Sequence, residues 1–406
     1  MQLTPISGGV CAAQGFQASG VHCGIRKNRH KRDLALIVSD APCAVGCTYT
    51  QNKVFGAPIT VTKQHVADGM AQAMICNSGN ANTCNANGVE IANQTCALIA
   101  DALHLNASDI IIASTGVIGQ PLDITPIANG IPALVDALST DGSAAACEGI
   151  MTTDTVQKQS AYAFPLGGKT CHIGGIAKGS GMIHPNMATM LCFITTDAAI
   201  APALLQKAVS AVVEDTFNMV SVDGDTSTND MLSVMANGRC GNARIETENA
   251  DYAAFTQALF AVARDLSMAM AADGEGATKL LQCTVCGAPC KDTAKKVAKS
   301  VITSTLFKAA MFGEDANWGR ILCAIGYTDA QFDIHRIAVT LKSEKGAVQV
   351  CENGAGVPFS EEEAAAVLSA KQIDIEIDMH SGDATATAWG CDLTYDYVKI
   401  NGDYRT

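Results

Sequence analysis

The chain has 406 residues, of which 48% are hydrophobic and 17% charged, so it can bury one large or two medium cores and a compact globular protein is expected. Its formal charge of −13, without clusters of Lys and Arg among aromatics, argues against nucleic acid and anionic membranes as partners. The N-terminus lacks a signal-peptide pattern, and no apolar run approaches the roughly 18–20 residues of a membrane span. These features predict a soluble protein of the cytoplasm.

Short β-rich runs alternate with Ala-rich helical runs, which predicts a mixed α/β architecture. AMICNSGNANTCNANG (73–88) predicts a strand that enters a polar loop rich in Gly and Asn, and VEIANQTCALIADAL then has apolar residues at helical spacing. IIIASTGVIG (110–119) predicts a buried strand that ends in a loop at Ser114, Thr115 and Gly116.

The second half continues this alternation and then becomes rich in strands. From residue 337 the pattern predicts a hairpin in IAVTLKSEKGAVQVCENG and a strand of period two in IDIEIDM. A soft boundary near residue 280 divides the chain into a larger α/β domain, 1–280, and a smaller one, 281–406. Helices are predicted at 202–214, at 253–273 and, as one continuous helix, at 291–313.

Seventeen cysteines are too sparse in so long a chain for a disulfide scaffold, which is typical of short secreted proteins. Free thiols are expected instead. Cys283, Cys286 and Cys290 have zinc-like spacing but lack a fourth ligand nearby, so packing as thiols is favoured, with a metal or redox role as the alternative. No metal or prosthetic group is predicted.

The Asp-rich stretch SVDGDTSTND (221–230) has carboxylates at positions 223, 225 and 230, which suggests a calcium-binding EF-hand loop. A loop that begins at Asp223 needs Gly at position 228 and Glu at position 234, where the chain has Thr228 and Val234. The stretch is therefore interpreted as a tight polar turn whose side chains bond their own backbone.

A threonine at position 189 interrupts an otherwise apolar run in HPNMATMLCF (184–193). Cleavage of the chain after Ala188 would give Thr189 a free α-amine, which can serve as the base for its own hydroxyl. Gly179 and Gly181 just upstream permit unusual backbone angles. From the pattern alone, a β-forming threonine with its hydroxyl bonded to the sheet remains the more ordinary reading.

Motifs along the whole chain resemble the ornithine acetyltransferase family, also called bifunctional glutamate N-acetyltransferase, in that family's order. The central one, KGSGMIHPNMATMLCFITTD (178–197), resembles its self-cleavage segment. The others are NSGNANTCNANG (77–88), ASTGVIGQPL (113–122), GIMTTDT (149–155), SVDGDTSTND (221–230), ARDLSMAMAADGEGATK (263–279), GEDANWGRI (313–321) and YVKINGDYRT (397–406).

The resemblance implies roles for individual residues. Thr189 would be the nucleophile, freed by cleavage between Ala188 and Thr189 into an α chain, 1–188, and a β chain, 189–406. Thr115 and Gly116 would form the oxyanion hole. Substrate contacts would fall on Thr189 itself and on a set taken from four of the motifs: Thr152, Lys178, Glu275, Asn401 and Thr406.

The reaction that the resemblance implies is transfer of an acetyl group from N2-acetylornithine to glutamate in arginine biosynthesis, through an acetyl-Thr189 ester. Acetyl-CoA stays open as a second donor. His184 would be a loop residue without a part in proton transfer. The resemblance also implies an α2β2 heterotetramer and a layered fold with helices outside stacked sheets, similar to self-processing aminopeptidases.

Two alternatives stay open at this point. An amidohydrolase or aminopeptidase with an N-terminal nucleophile would use the same groups but deliver the acyl group or an N-terminal residue to water. A non-catalytic amino-acid-binding protein would keep Lys178 and Glu275 but would have no use for Thr189.

Overall fold

The computed structural model describes residues 2–184 and 190–403. Its strands, in chain order, are β1 (Thr4–Pro5), β2 (Phe16–Val21), β3 (Leu34–Tyr49), β4 (Met70–Asn80), β5 (Ile110–Val117), β6 (Lys158–Leu166), β7 (Lys169–Lys178), β8 (Leu191–Thr196), β9 (Val220–Ser221), β10 (Met231–Ala236), β11 (Leu280–Ala288), β12 (Ala338–Ser343), β13 (Gly346–Glu352), β14 (Ala355–Gly356), β15 (Gln372–Asp378) and β16 (Ala384–Cys391). Its helices are α1 (Ala57–His65), α2 (Gly88–Leu103), α3 (Ile124–Asp136), α4 (Ser143–Ile150), α5 (Pro202–Asp215), α6 (Ala250–Ala272), α7 (Lys291–Thr303), α8 (Thr305–Phe312), α9 (Trp318–Gly326), α10 (Glu361–Leu368) and α11 (Tyr395–Asp403).

Within the described residues the larger sheet has nine strands, in the order β1-β6-β7-β8-β10-β3-β4-β5, with β2 also paired to β3. The long strand β3 connects its two halves: its first part pairs with β2 and β4, its last part pairs with β10, and its register against β4 shifts between Val38 and Cys43. The inner faces of the two halves share one core, in which Ile37 and Ile111 of one half join Ile176 and Phe193 of the other. The sheet therefore folds over at β3 into two stacked layers.

Helices cover the outer faces of both layers. Helices α2 and α3 pack with β3, β4 and β5 in one apolar core, and α5 and α6 pack with β7, β8 and β10 in another. Strands β4 and β5 are parallel and are connected through α2, as a parallel pair requires a crossover. The predicted layered α/β architecture, with helices outside stacked sheets, is confirmed.

The smaller sheet has seven strands within the described residues, in the order β14-β13-β12-β15-β11-β16-β9. Strand β11 alternates between buried Leu281, Cys283 and Val285 and a more open face that carries Gln282 and Thr284. Helix α7 covers the buried face in a shared core. Strand β9 lies before residue 280 yet pairs with β16, so the smaller sheet includes residues from both sides of position 280. The domain boundary at 280 stays a prediction.

The predicted strands and helices are found, with two corrections. The loop expected at Ser114, Thr115 and Gly116 is wrong, because β5 continues through these residues, which pair with β4. The segment 291–313 forms two helices, α7 and α8, instead of one. Ser304 separates them in an extended conformation (φ −66°, ψ 111°), and its side chain accepts a hydrogen bond from the backbone N–H of Phe307 as the N-cap of α8. A serine hydroxyl that caps a new helix competes with continuation of the old one.

The expectation of free thiols is wrong for one pair. Cys171 on β7 and Cys240 after β10 are joined as a disulfide, with Cα atoms 5.5 Å apart, because strand pairing brings two segments distant in sequence within bonding range. In the described part of the chain, the group of side chains close enough together to hold a metal ion is this same pair with Asp197, and it does not include the three cysteines of residues 283–290.

The described residues include no helix long and apolar enough to cross a membrane.

Candidate active site

A cleft opens where β5 and β7 end, because the folded sheet brings the ends of these two strands together. Thr115 lies near the end of β5, and Lys178 is the last residue of β7. The Lys178 ammonium Nζ lies 3.4 Å from Thr115 Oγ1, and both residues are buried, each 8% exposed. Thr152, Glu275 and Asn401 line the same cleft. Residues from five separate motifs of the sequence thus meet at one place.

The Lys178–Thr115 contact orients the threonine hydroxyl. An ammonium group donates hydrogen bonds and cannot accept them, so Thr115 Oγ1 is the acceptor in this pair. The hydroxyl proton of Thr115 is then left to donate to another oxygen. An oxyanion in the cleft is an acceptor of the required kind.

Gly116, the partner of Thr115 in the predicted oxyanion hole, adopts φ +129°. A Cβ atom at this position would lie 2.4 Å from the carbonyl carbon of Gly79 on the neighbouring strand β4. Both the torsion and the close approach of two backbones require glycine here. The sequence pattern did not reveal this second requirement.

Asn229 binds the backbone of β5 directly before Thr115. Its side-chain amide donates to the carbonyl oxygens of Ala81 (2.6 Å) and Ser114 (3.0 Å), while its Oδ1 accepts from the hydroxyl of Thr83 (2.6 Å). Asn229 is 7% exposed. Sequence reasoning treated it as part of a self-bonded polar turn, and only the contacts with β4 and β5 reveal that it holds the residue before Thr115.

The side chains of Glu275 and Asn401, which both line the cleft, are hydrogen-bonded to each other. Asn401 Nδ2 on α11 donates to Glu275 Oε2 at 2.8 Å, and the Glu275 backbone N–H donates to the carbonyl of Ser180 at 2.9 Å. The Glu275 carboxylate rests against Gly181, where a Cβ would lie 2.3 Å from its carboxyl carbon.

Gly179 and Gly181 are predicted to permit unusual backbone angles. Neither has a positive φ; the residue with φ +58° in this segment is Met182. The glycines provide space instead. Gly181 leaves room for the Glu275 carboxylate, and a Cβ at Gly179 would lie 2.9 Å from the side chain of Ile183.

The segment that precedes residues 185–189 is tied to the 221–230 loop. The carboxylate of Asp223 accepts hydrogen bonds from the backbone N–H groups of Met182 (2.6 Å) and Ile183 (2.9 Å). On the other side, the Met231 N–H donates to the carbonyl of Met190 at 2.8 Å. The stretch interpreted as a self-bonded turn therefore also anchors the segment before residue 185, and Met231, the residue that follows the stretch, holds the segment after residue 189.

Three predicted site residues lie outside the described residues: Ala188 and Thr189 at the cleavage site, and Thr406 at the C-terminus. Their assignments stay predictions. The remaining predicted residues, Thr115, Gly116, Thr152, Lys178, Glu275 and Asn401, line one cleft.

His184 lies just before the undescribed segment but faces a different side. Its Nδ1 lies 3.1 Å from Ser221 Oγ, and the side chain lines a second cleft together with Lys299. Burial, together with the Lys299 charge, lowers the pKa of His184 to about 4. The imidazole is therefore neutral at pH 7. The interpretation of His184 as a loop residue without a part in proton transfer stays a prediction.

Comparison with known proteins places these residues in a family context. A model described as the ArgJ family matches residues 17–406. The arginine biosynthesis bifunctional protein ArgJ of Symbiobacterium thermophilum is 50% identical over 403 residues, which cover 99% of each chain. A crystal structure of the arginine biosynthesis bifunctional protein from Bacillus halodurans is 46% identical, covers 52% of this chain and 98% of its own, and has a TM-score of 0.50. An ornithine acetyltransferase from Mycobacterium tuberculosis, solved with ornithine, is 33% identical, covers 46% of this chain and 100% of its own, and has a TM-score of 0.43.

Proposed function

Because this chain belongs to the ArgJ family, we propose that it transfers an acetyl group from N2-acetylornithine to glutamate in arginine biosynthesis, with Thr189 as the nucleophile. The observation that carries the proposal is the convergence of Thr115, Lys178 and Glu275 on one cleft. Met182 and Met190, from the two sides of residues 185–189, line a small neighbouring pocket together with Thr115 and Lys178.

In the first half-reaction, the α-amine of Thr189 takes the proton of the Thr189 hydroxyl while Oγ1 attacks the acetyl carbonyl carbon. The unperturbed pKa of an α-amine, near 8, suits a base that works at neutral pH. The carbonyl oxygen becomes an oxyanion that accepts hydrogen bonds from the Thr115 hydroxyl and the Gly116 N–H. The C–N bond then breaks, the α-ammonium returns its proton to the leaving nitrogen, and ornithine departs.

In the second half-reaction, the amine of glutamate attacks the acetyl-Thr189 ester and gives its proton to the same α-amine. Collapse of the second tetrahedral intermediate breaks the ester bond, returns that proton to Thr189 Oγ1 and releases N-acetylglutamate. The transfer is therefore ping-pong, and an acetyl-enzyme accumulates when the acceptor is absent. These steps use no metal or prosthetic group. Acetyl-CoA would enter as an alternative donor to the same nucleophile.

Charges in the cleft support amino-acid substrates. Lys178 offers an ammonium group to the α-carboxylate of the substrate, and Glu275, held by Asn401, offers a carboxylate to an amine. Thr152 lines the same cleft and offers a polar contact. Both substrates carry a carboxylate and an amine, which suits one cleft that serves two half-reactions in turn.

The base requires autocleavage between Ala188 and Thr189, which we include in the proposal. The solved chain from Bacillus halodurans supports it: 98% of that chain matches only 52% of this one. Residues 189–406 make up a similar share of the sequence, about 54%. We further propose that the two resulting chains stay together, that they assemble as an α2β2 heterotetramer, and that the enzyme works in the cytoplasm.

Intact mass spectrometry of the denatured protein beside its Thr189→Ala variant tests the nucleophile. We expect two chains, 1–188 and 189–406, from the parent and one uncut chain from the variant. A single uncut chain from both would remove the base from the mechanism and favour an amino-acid-binding protein.

An assay of the cleaved protein with N2-acetylornithine, run with and without glutamate, then tests the reaction. We expect release of ornithine to depend on glutamate and to be matched by N-acetylglutamate. Release of free acetate at the same rate without glutamate would instead identify a hydrolase.

A further inference from the structure

Beneath the cleft lies a buried network of charges to which no role has been assigned. Lys158 Nζ lies 2.7 Å from Asp154 Oδ1 and 2.5 Å from Asp273 Oδ2. Lys158 is 1% exposed, Asp154 3% and Asp273 8%. Ions removed from water in this way are costly unless each has partners, so their presence calls for a compensating benefit.

Each carboxylate of the network also holds backbone of the cleft. Asp154 accepts hydrogen bonds from the N–H groups of Thr152 (3.0 Å) and Gly179 (2.7 Å), the residue after Lys178. These two bonds fix the backbone at Thr152 and at Gly179, and thus hold the side of the cleft that carries Lys178, here called the Lys178 wall. Burial alone would raise the pKa of Asp154, but the charges of Lys178 and Lys158 outweigh it and lower the pKa to about 2, so the acceptor stays ionised.

Asp273 extends the network to the side of the cleft that carries Glu275, here called the Glu275 wall. Its carboxylate accepts the Thr155 N–H at 3.0 Å, and its backbone carbonyl accepts the Ser180 hydroxyl at 2.6 Å. Ser180 in turn accepts the N–H of Glu275 through its own carbonyl. Lys158, which joins the two aspartates, is thus linked by hydrogen bonds to the backbone at or beside Thr152, Lys178 and Glu275.

We propose that Asp154, Lys158 and Asp273 are positioning residues that fix the separation of the Lys178 wall from the Glu275 wall and thereby select the length of the acyl donor. The inference rests on the proposed function, because Lys178 and Glu275 are taken to hold the two charged ends of one substrate. A donor shorter by one methylene spans the fixed separation poorly, whereas a loosened cleft adapts to it.

The test compares Asp154→Asn with Asp197→Asn. Asp197 is a matched control, because it too is a fully buried carboxylate that accepts backbone N–H bonds, from His172 (2.7 Å) and Gln14 (3.2 Å). Its partner His172 lies on β7 six residues from Lys178, roughly 20 Å at the rise of a strand. The measurement is kcat/KM for N2-acetylornithine and for its homologue N2-acetyl-2,4-diaminobutyrate, in the cleaved enzyme, with melting temperatures alongside.

We expect Asp154→Asn to lower kcat/KM for N2-acetylornithine by about 10- to 100-fold, as small misplacements of substrate-holding groups do. The ratio of kcat/KM between the two donors should fall about tenfold, mostly through KM. Asp197→Asn should lose similar thermal stability and keep the parent ratio. An unchanged ratio in Asp154→Asn would overturn the proposal, as would an equal change in Asp197→Asn.

Hydrogen exchange separates failure of this inference from failure of the proposed function. The Glu275 amide does not contact Asp154, so its faster exchange in Asp154→Asn, but not in Asp197→Asn, would report transmission through the network even if the parent lacks transferase activity. If Asp154→Asn does not fold, Asp273→Asn serves for both measurements with the same expected results. Unchanged protection of Glu275 in the variant that folds would contradict the proposal.

Discussion

At each end of strand β7 a buried aspartate accepts a backbone hydrogen bond, but the two ends differ in what that backbone carries. At its start, buried Asp197 accepts the N–H of His172, and the neighbouring Cys171 is bonded to Cys240. At its end, buried Asp154 accepts the N–H of Gly179 beside Lys178. Both aspartates satisfy backbone donors, but the first stabilises the backbone beside a disulfide and the second stabilises the backbone beside a cleft residue.

The difference shows that a buried carboxylate does not identify a functional site by itself. What distinguishes the two ends is what the bonded backbone carries: a disulfide and a packed turn at one end, and the residues that face a cleft at the other. Variants at the cleft end should change catalysis, and variants at the disulfide end should change stability alone.

The largest effect is expected from Thr115→Val, which removes the hydroxyl beside Lys178 at the cleft end. Loss of one oxyanion donor typically costs about 10²- to 10³-fold in kcat, or about 2.7–4 kcal/mol. Steady-state kinetics of the cleaved enzyme would measure it. Thr115→Ser keeps the hydroxyl and should retain most activity; an equally inactive serine variant would indicate a packing role for the threonine methyl group.

At the disulfide end, the double variant Cys171→Ala/Cys240→Ala should lose about 2–4 kcal/mol of stability relative to the oxidised parent, because the bond closes a loop of 69 residues. Thermal denaturation with and without reductant would measure this. The parent should melt at a lower temperature in reductant, and the variant should not respond. A change in kcat/KM of the folded variant would contradict the separation of the two ends.

Gly181→Ala should displace Glu275 at the cleft end, because the new Cβ would overlap its carboxylate. Since that carboxylate ends a flexible side chain, stability should change little, while kcat/KM should fall about 10- to 100-fold with the loss of a charged hydrogen bond worth about 1.5–3 kcal/mol.

Gly168→Ala, in the turn before the start of β7, is its control. Gly168 has open space around it but φ +75°. The alanine should cost about 1 kcal/mol of stability and leave kinetics unchanged. Equal kinetic losses in the two variants would mean that the overlap with Glu275 is not the cause.

Acid should destabilise the fold through His184, which lines the second cleft. The folded-state pKa of His184, about 4, lies below the unfolded value near 6.5. Its contribution to stability is therefore complete above about pH 6.5 and is lost as the pH falls towards 4, where the unfolded chain binds a proton that the folded chain does not. The full shift would correspond to about 3 kcal/mol. Because the side chain is partly exposed, solvent screening should reduce the loss to on the order of 1–2 kcal/mol.

Denaturant unfolding between pH 7 and 4 would detect this loss. His184→Gln should flatten the pH dependence, and His30→Gln, at an exposed position, should not. Identical slopes in all three proteins would show that His184 is not the group responsible.

Much of the fold was predictable because strong periodicity marks its elements. The 202–214 helix and the 338–352 hairpin are found as expected, and the 110–119 strand is found but continues through residues 114–116, where a loop was expected. The break at Ser304 was missed because a serine inside a helical pattern is tolerated, and only the hydrogen bond to Phe307 decides that it caps a new helix.

The sequence predicted which residues belong to the site but not how they are arranged. Lys178 and Glu275 were identified through resemblance, but their geometry depends on residues with no local signal. Asn229 and Asp154 act through partners that are distant in sequence, such as Ser114 and Gly179. The pairing of Cys171 with Cys240 also depends on which strands lie side by side, which composition does not specify.

Strands β7 and β8 flank residues 185–189 and are hydrogen-bonded neighbours inside the larger sheet, with Lys178 opposite Leu191. A cut between Ala188 and Thr189 would therefore leave a nicked protein, held together by an intact ladder and a common core. Its unfolding would become bimolecular, since two polypeptides would part and would have to find each other again. The melting temperature of the cut form should then rise more steeply with protein concentration than that of the uncut form, which has half as many chains to reassemble.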